Sequence, residues 1–133
     1  LCANVPSQYA IQTALGGYQS IDDLVAPHGR LCKQRDLAHD FLTSLPGVTC
    51  HKPQAAMYLF PRLDTRIYPI LNDQHFILDL LLEEKVLVVQ GSGFNWPHPD
   101  HLRVVFLPNT DDLEDAMVRI GRFLEGFRKR HGN

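Results

Sequence analysis

Apolar residues recur at helical spacing over four stretches of the chain and alternate or cluster over four shorter ones. The first helix is predicted after Pro6, a residue tolerated in a first turn. There Ala10, Ile11, Ala14 and Leu15 share one face, and Gly16-Gly17 stops the helix. A second helix is predicted from Pro27 to Leu45 with Leu37, Ala38, Phe41, Leu42 and Leu45 as its apolar face, ended by Pro46-Gly47. Two short strands follow, Val48 to His51 and Ala56 to Phe60, and residues 61–69 read as irregular. Asn72 or Asp73 can cap a third helix whose stripe is Phe76, Ile77, Leu80 and Leu81, ending by Lys85. Val86 to Val89 is a continuous apolar run, as expected of a strand buried on both faces. Another strand spans His101 to Leu107. The last helix has the clearest periodicity: Leu113, Ala116, Met117, Ile120, Phe123, Leu124 and Phe127. Asp111 and Glu114 suit its positive end, and Arg128, Lys129 and Arg130 its negative end. Alternating helix and strand signals, with no repeat and no low-complexity linker, predict an α+β fold, a small mixed sheet of about four strands packed against helices.

Composition narrows the function classes. A chain of 133 residues with 44% hydrophobic and 21% charged residues can bury a core of its own and is not of disordered type. Its formal charge of -2 carries no basic footprint, so nucleic acid is not an expected partner. No apolar run reaches the roughly 18 residues that span a bilayer, and no charged n-region of a signal peptide opens the chain, so no membrane partner is expected. Cys2, Cys32 and Cys50 form no C-x-x-C pair and read as reduced thiols of a cytoplasmic protein. The chain starts at Leu1 rather than at a methionine, which leads to the expectation of a piece of something longer.

Arg103 is the residue with the most chemical interest. Leu102, Val104 and Phe106 point one way along its strand, and His101, Arg103 and Val105 the other. An arginine in so apolar a strand needs a partner, and its planar fork suits a carboxylate held through two parallel hydrogen bonds. The structural alternative is a salt bridge to an acidic residue of the chain such as Asp100 or Glu83. Gly91-Ser92-Gly93-Phe94 leaves a strand and could bring backbone close to a ligand, but taken alone it reads better as an ordinary turn, and it is too short for a phosphate loop. His98, Asp100 and His101 crowd together, but Pro97 and Pro99 extend the backbone and splay them, so no metal site is expected. Cys50 and His51 are strand neighbours on opposite faces and make no catalytic pair. None of Lys33, Lys52, Lys85 and Lys129 lies in a motif that would desolvate it, so no Schiff-base lysine stands out.

Several segments together resemble the fold-type I, pyridoxal-phosphate-dependent aminotransferases, over essentially the whole chain. Residues 1–8, LCANVPSQ, resemble the N-x-P helix start that follows the cofactor lysine in that family. Residues 53–60, PQAAMYLF, resemble its P-x-G-A-M/F-Y strand. Residues 86–94, VLVVQGSGF, resemble its V-x-V-x-P-G-S-x-F strand and loop, and residues 101–108, HLRVVFLP, its h-h-R-h-x-F strand. Residues 12–20 and 94–101 are most similar to the bacterial branch of the family acting on glutamate and pyruvate, or alanine. Gln90 and Ala55 depart from the proline and glycine common at those positions.

The resemblance implies a C-terminal small domain, with residues 1–26 as a linking helix and turn from a missing large domain and residues 27–133 as the small domain itself. It implies transfer of an amino group between an L-amino acid, alanine or glutamate, and a 2-oxo acid, pyruvate or 2-oxoglutarate. Pyridoxal 5'-phosphate would be the cofactor, with its lysine, its pyridine-nitrogen aspartate and its phosphate cup upstream of this chain. It assigns Arg103 to the substrate carboxylate, places Phe94 and Trp96 near the substrate, puts Asn4 at the edge of an active site, and implies a homodimer. A domain of this family can also serve a non-catalytic role, as an effector-binding or interaction module.

Overall fold

In a computed structural model that describes residues 2–131, the chain divides into two units, Leu1–Lys33 and Gln34–Asn133. Leu1, where the N-terminal resemblance begins, and the last two residues of the expected small domain lie outside the described residues.

In the first unit, α1 runs Val5–Gly16 with Pro6 in its first turn. Asn4 caps it: the Ser7 N–H donates to Asn4 Oδ1 at 3.2 Å, satisfying one of the amides that a helix start leaves without a partner. At the other end the Gly17 N–H donates to Thr13 O, and a Cβ on Gly17 would stand 2.9 Å from that oxygen. The expected apolar face of α1 is exposed throughout. A short helix, α2 (Ser20–Val25), was not legible in the sequence; Asp22 and Asp23 in its first turn favour its positive end. It corrects the start of the next helix. Gly29 packs against the Asp23 and Leu24 carbonyls, where a Cβ would come within 2.5 Å of both oxygens. The chain therefore turns at Pro27–Gly29, and α3 spans Arg30–Ser44 instead of opening at Pro27.

The second unit holds the core. Ala38 and Leu42 of α3 are buried, with Leu37, Phe41 and Leu45 packed beside them, as the periodicity predicts. Gly47 turns the chain at φ +74°, a conformation open to glycine and costly to other residues. Strand β1 (Val48–Thr49) follows, then β2 (Tyr58–Leu59) and β3 (Arg62–Leu63). β3 lies in the stretch expected to be irregular; it pairs antiparallel with β1, matching Val48 with Leu63. Helix α4 (Asp73–Glu84) starts at the cap Asn72, whose Oδ1 accepts from the His75 N–H at 3.0 Å, and ends at Lys85 in the left-handed conformation. Strands β4 (Val89–Gln90) and β5 (Leu102–Val105) join β2 in a second sheet, and α5 (Thr110–His131) closes the unit. The aromatic rings of Phe76 on α4 and of Phe123 and Phe127 on α5 meet edge to face at 5.1 and 4.9 Å.

The architecture is the α+β one expected, but the described strands form two small antiparallel sheets, β1 with β3 and β2–β5–β4, where one mixed sheet of about four strands was expected. β5 is the central strand, flanked by β2 and β4. The expectation of a doubly buried strand at Val86 to Val89 is corrected: only Val89–Gln90 pairs, Val88 is buried, and Leu87 is 72% exposed. An apolar run without alternation does not say which of its residues reach a partner strand.

Register positions the site. Tyr58 pairs with Val105, Leu59 with Val104, and Arg62 bridges to His101. The same register sets Phe60 opposite Arg103. Pro61 cannot donate to the ladder, but its carbonyl accepts from the Leu102 N–H at 3.3 Å, so the alignment holds through it. Leu59, Pro61 and Leu63 face inward with Leu102, Val104 and Phe106. Tyr58, Phe60 and Arg62 share the outer face with His101, Arg103 and Val105.

Candidate functional site

The outer face of β5 presents Arg103 with its Nε buried and without a hydrogen-bond partner among the described residues. Its guanidinium carbon lies 4.8 Å from the centroid of the Tyr58 ring and 4.6 Å from that of Phe94. Tyr58 comes from β2 on one side of the central strand, and Phe94 from the turn after β4 on the other. Both rings attract the cation through their faces. A ring cannot accept in the guanidinium plane, so the N–H edge keeps its capacity for two parallel hydrogen bonds to a carboxylate.

The acidic residues that spacing offers to Arg103 are engaged elsewhere. Glu83 pairs with Arg130 at 3.0 Å. Asp100 is buried and accepts three charged or polar donors: Arg62 Nε at 3.0 Å on Oδ2, and Trp96 Nε1 at 2.9 Å and His101 Nδ1 at 2.7 Å on Oδ1. Burial pushes the Asp100 carboxyl up, and the hydrogen bonds from His101, Trp96 and Arg62 outweigh it and hold the group below the usual carboxylate range. The Asp100 carboxylate thus ties Trp96 to the strand carrying Arg103. Phe60 joins the same cluster, stacked on His101 at 4.8 Å and edge-on to Trp96 and Phe94 at 5.9 and 6.4 Å.

The turn that carries Phe94 is a single 3-10 turn, Gly91–Phe94. The Gly91 N–H donates to His101 O at 2.8 Å, and Gly91 O accepts from the Trp96 N–H at 3.2 Å. A Cβ at Gly91 would lie 2.9 Å from His101 O, so the close approach to β5 requires glycine. Asp73, buried at the start of α4, accepts the Ser92 N–H at 2.9 Å and the Ser92 hydroxyl at 2.8 Å.

Of the residues singled out in the sequence, the structure gathers Arg103, Phe94 and Trp96 on one side of the sheet. Asn4 belongs to the other unit, where it caps α1. His98 is exposed, and its neighbours Asp100 and His101 bond each other. Sequence reasoning missed Tyr58, Phe60 and Asp73. Tyr58 and Phe60 alternate with buried Leu59, a period of two that marks them as outer-face residues once β2 is paired; nothing local marks Asp73 as a partner of Ser92.

The residues present do not fit pyridoxal phosphate. Lys52 pairs with Asp36 at 2.9 Å, Lys129 with Glu125 at 2.6 Å, and Lys85 donates to Leu82 O at 2.7 Å. Lys33 is an exposed residue of the first unit. No described lysine of the second unit is therefore placed as a Schiff-base amine.

Comparison with known proteins adds the relatives. The family model for aminotransferase class I and II matches residues 1–120. The chain is 59% identical over 97% of its length to the alanine aminotransferase of Mycobacterium tuberculosis, covering 30% of that protein. It is 54% identical, again over 97% of its length, to the glutamate-pyruvate aminotransferase AlaA of Escherichia coli, of which it covers 32%. The crystal structure of an Escherichia coli aminotransferase superposes with a TM-score of 0.87 at 54% identity, over 96% of this chain and 31% of that one. The alanine aminotransferase of Pyrococcus furiosus gives a TM-score of 0.80 at 39% identity, over 95% of this chain and 31% of that one. The chain thus spans about a third of the length of the curated relatives it matches.

Proposed function

The chain belongs to the class I and II aminotransferase family, and from that premise we propose that the whole protein moves an amino group between an L-amino acid, alanine or glutamate, and a 2-oxo acid, pyruvate or 2-oxoglutarate. Its cofactor is pyridoxal phosphate, held outside the residues described. The alanine and glutamate-pyruvate aminotransferases similar to this chain support that choice of substrates. The whole protein is a homodimer, as the resemblance implies, and acts in the cytoplasm, the compartment that suits three cysteines read as reduced thiols.

The part of the reaction that this chain carries is recognition of the substrate carboxylate. The observation behind this is the buried, unpartnered Arg103 Nε beside Tyr58 and Phe94. A guanidinium whose buried N–H lacks a partner bears a desolvation cost that an incoming carboxylate relieves. Every amino donor and 2-oxo acceptor of the reaction has such a group next to the reacting carbon. Two parallel hydrogen bonds in the guanidinium plane hold it in one orientation, which fixes the direction in which that carbon presents its bonds. Tyr58 and Phe94 lie against the guanidinium and keep part of the water from the pair, strengthening it; Trp96 is assigned near the substrate on the resemblance. Asn4 is assigned to the edge of an active site on the resemblance alone.

Replacement of Arg103 in the whole protein tests the reading. Arg103→Lys keeps the charge and loses the fork, so KM for both the amino acid and the 2-oxo acid should rise roughly 10- to 100-fold, with a lower kcat. Steady-state kinetics unchanged from those of the parent protein would overturn the assignment.

A further inference from the structure

Resting on that reading of Arg103, we propose that Asp73 is a positioning residue of the carboxylate site, acting through Ser92 and Phe94. Asp73 is 7% exposed and sits in the first turn of α4, remote in sequence from the strand that bears Arg103. Both of its carboxylate oxygens are committed to one residue, Oδ2 to the Ser92 N–H and Oδ1 to the Ser92 hydroxyl. Ser92 is the second residue of the 3-10 turn, and Phe94 is its last. A turn of that length has little hydrogen bonding of its own and is held by what surrounds it. Here one end is tied to β5 through Gly91 and His101, and Asp73 supplies the tie to α4.

The consequence falls on Arg103. Among the described residues its buried Nε has no hydrogen-bond partner, and the Phe94 ring at 4.6 Å is one of the two rings that lie against its guanidinium. If Ser92 is released, Phe94 is free to leave, and the N–H edge of Arg103 loses its fixed direction. Asp73 touches neither substrate nor cofactor. Its effect reaches the reaction by holding the wall against which the arginine lies. The α-carboxylate is common to donor and acceptor, so the effect is the same for every substrate.

The test uses the whole protein loaded with its cofactor. Asp73→Ala removes both bonds and should raise KM for L-alanine and for 2-oxoglutarate together, by about tenfold, the scale expected of a misplaced positioning group. Ser92→Ala removes only the hydroxyl bond and should give an intermediate rise. Asp73→Asn can accept the Ser92 N–H through its oxygen and donate to the Ser92 oxygen through its amide, so it should restore KM to within about twofold of the parent value. Active-site titration in each variant separates loss of folded protein from loss of affinity. A merely structural Asp73 would lower the active fraction and the melting temperature and leave KM per active site where it was; that result overturns the proposal. An Arg103→Lys variant measured alongside distinguishes the two failures: if its KM rises while that of Asp73→Ala does not, the positioning role is wrong, and if neither rises, the carboxylate reading itself is wrong.

Discussion

Asp100 shows how a buried charge can be kept in this fold. Burial alone would favour its neutral form, yet three donors converge on it and the carboxyl titrates below its usual range. A group whose folded pKa lies below its unfolded value binds its proton less readily when folded. It therefore adds stability above the unfolded value of about 3.9, and that contribution drains away as pH falls through the folded value. Asp100→Asn should cost about 2 kcal/mol at neutral pH, since it removes the charge that Arg62 pairs with and sets an amide N–H against one of the three donors. The variant should also show a flatter decline of stability below about pH 4. Urea unfolding of both proteins at pH 7 and pH 3.5 measures this; parallel declines would remove Asp100 as a source of the acid sensitivity. Arg103 is the converse case, half-buried, with a buried Nε that has no hydrogen-bond partner among the described residues.

At the scale of elements, the site depends on the strand–turn unit between β4 and β5. Gly91 allows the turn to lie against the backbone of His101, with room for no Cβ: the nearest atoms would be His101 O at 2.9 Å and His101 Cβ at 3.1 Å. These belong to the main chain and the root of a side chain, so no rotamer change relieves the contact. Gly91→Ala should destabilise the chain by about 1–3 kcal/mol through this overpacking. It should also shift the Trp96 fluorescence, because the Trp96 N–H donates to Gly91 O. Thermal unfolding followed by tryptophan emission reads both effects, and an unshifted spectrum at parental stability would contradict the packing described. The helices show how far local signals carry. The Asn72 cap, the Phe76–Ile77–Leu80 stripe and the apolar face of α5 are where periodicity placed them, because a helix writes its buried face into neighbouring turns. The short elements escaped: α2 has 6 residues and β3 has 2, too few for a period to show.

At the scale of the whole molecule, the chain belongs to the aminotransferase family, and no described lysine of its second unit is placed as a Schiff-base amine. The chain of residues 1–133 alone should therefore transfer no amino group from L-alanine or L-glutamate, even with added pyridoxal phosphate. A coupled assay for pyruvate or 2-oxoglutarate formation checks this; measurable turnover would place the chemistry within these residues. The resemblance carried by four short segments is borne out at the level of the family by the match over residues 1–120. The same segments, read for their residues alone, left Arg103 undecided between a ligand and an internal salt bridge. What the sequence by itself determined was the presence of the four longer helices, the inner and outer sides of β5 and the core faces of α3, α4 and α5, because these follow from residues a few positions apart. What only the tertiary structure decided was pairing. It set Phe60 opposite Arg103, gave Asp100 to Arg62, Trp96 and His101, gave Glu83 to Arg130, and brought Asp73 to Ser92. Such partners lie up to 47 positions apart along the chain, and an acidic residue looks equally available to every arginine until register and burial commit its oxygens to one of them.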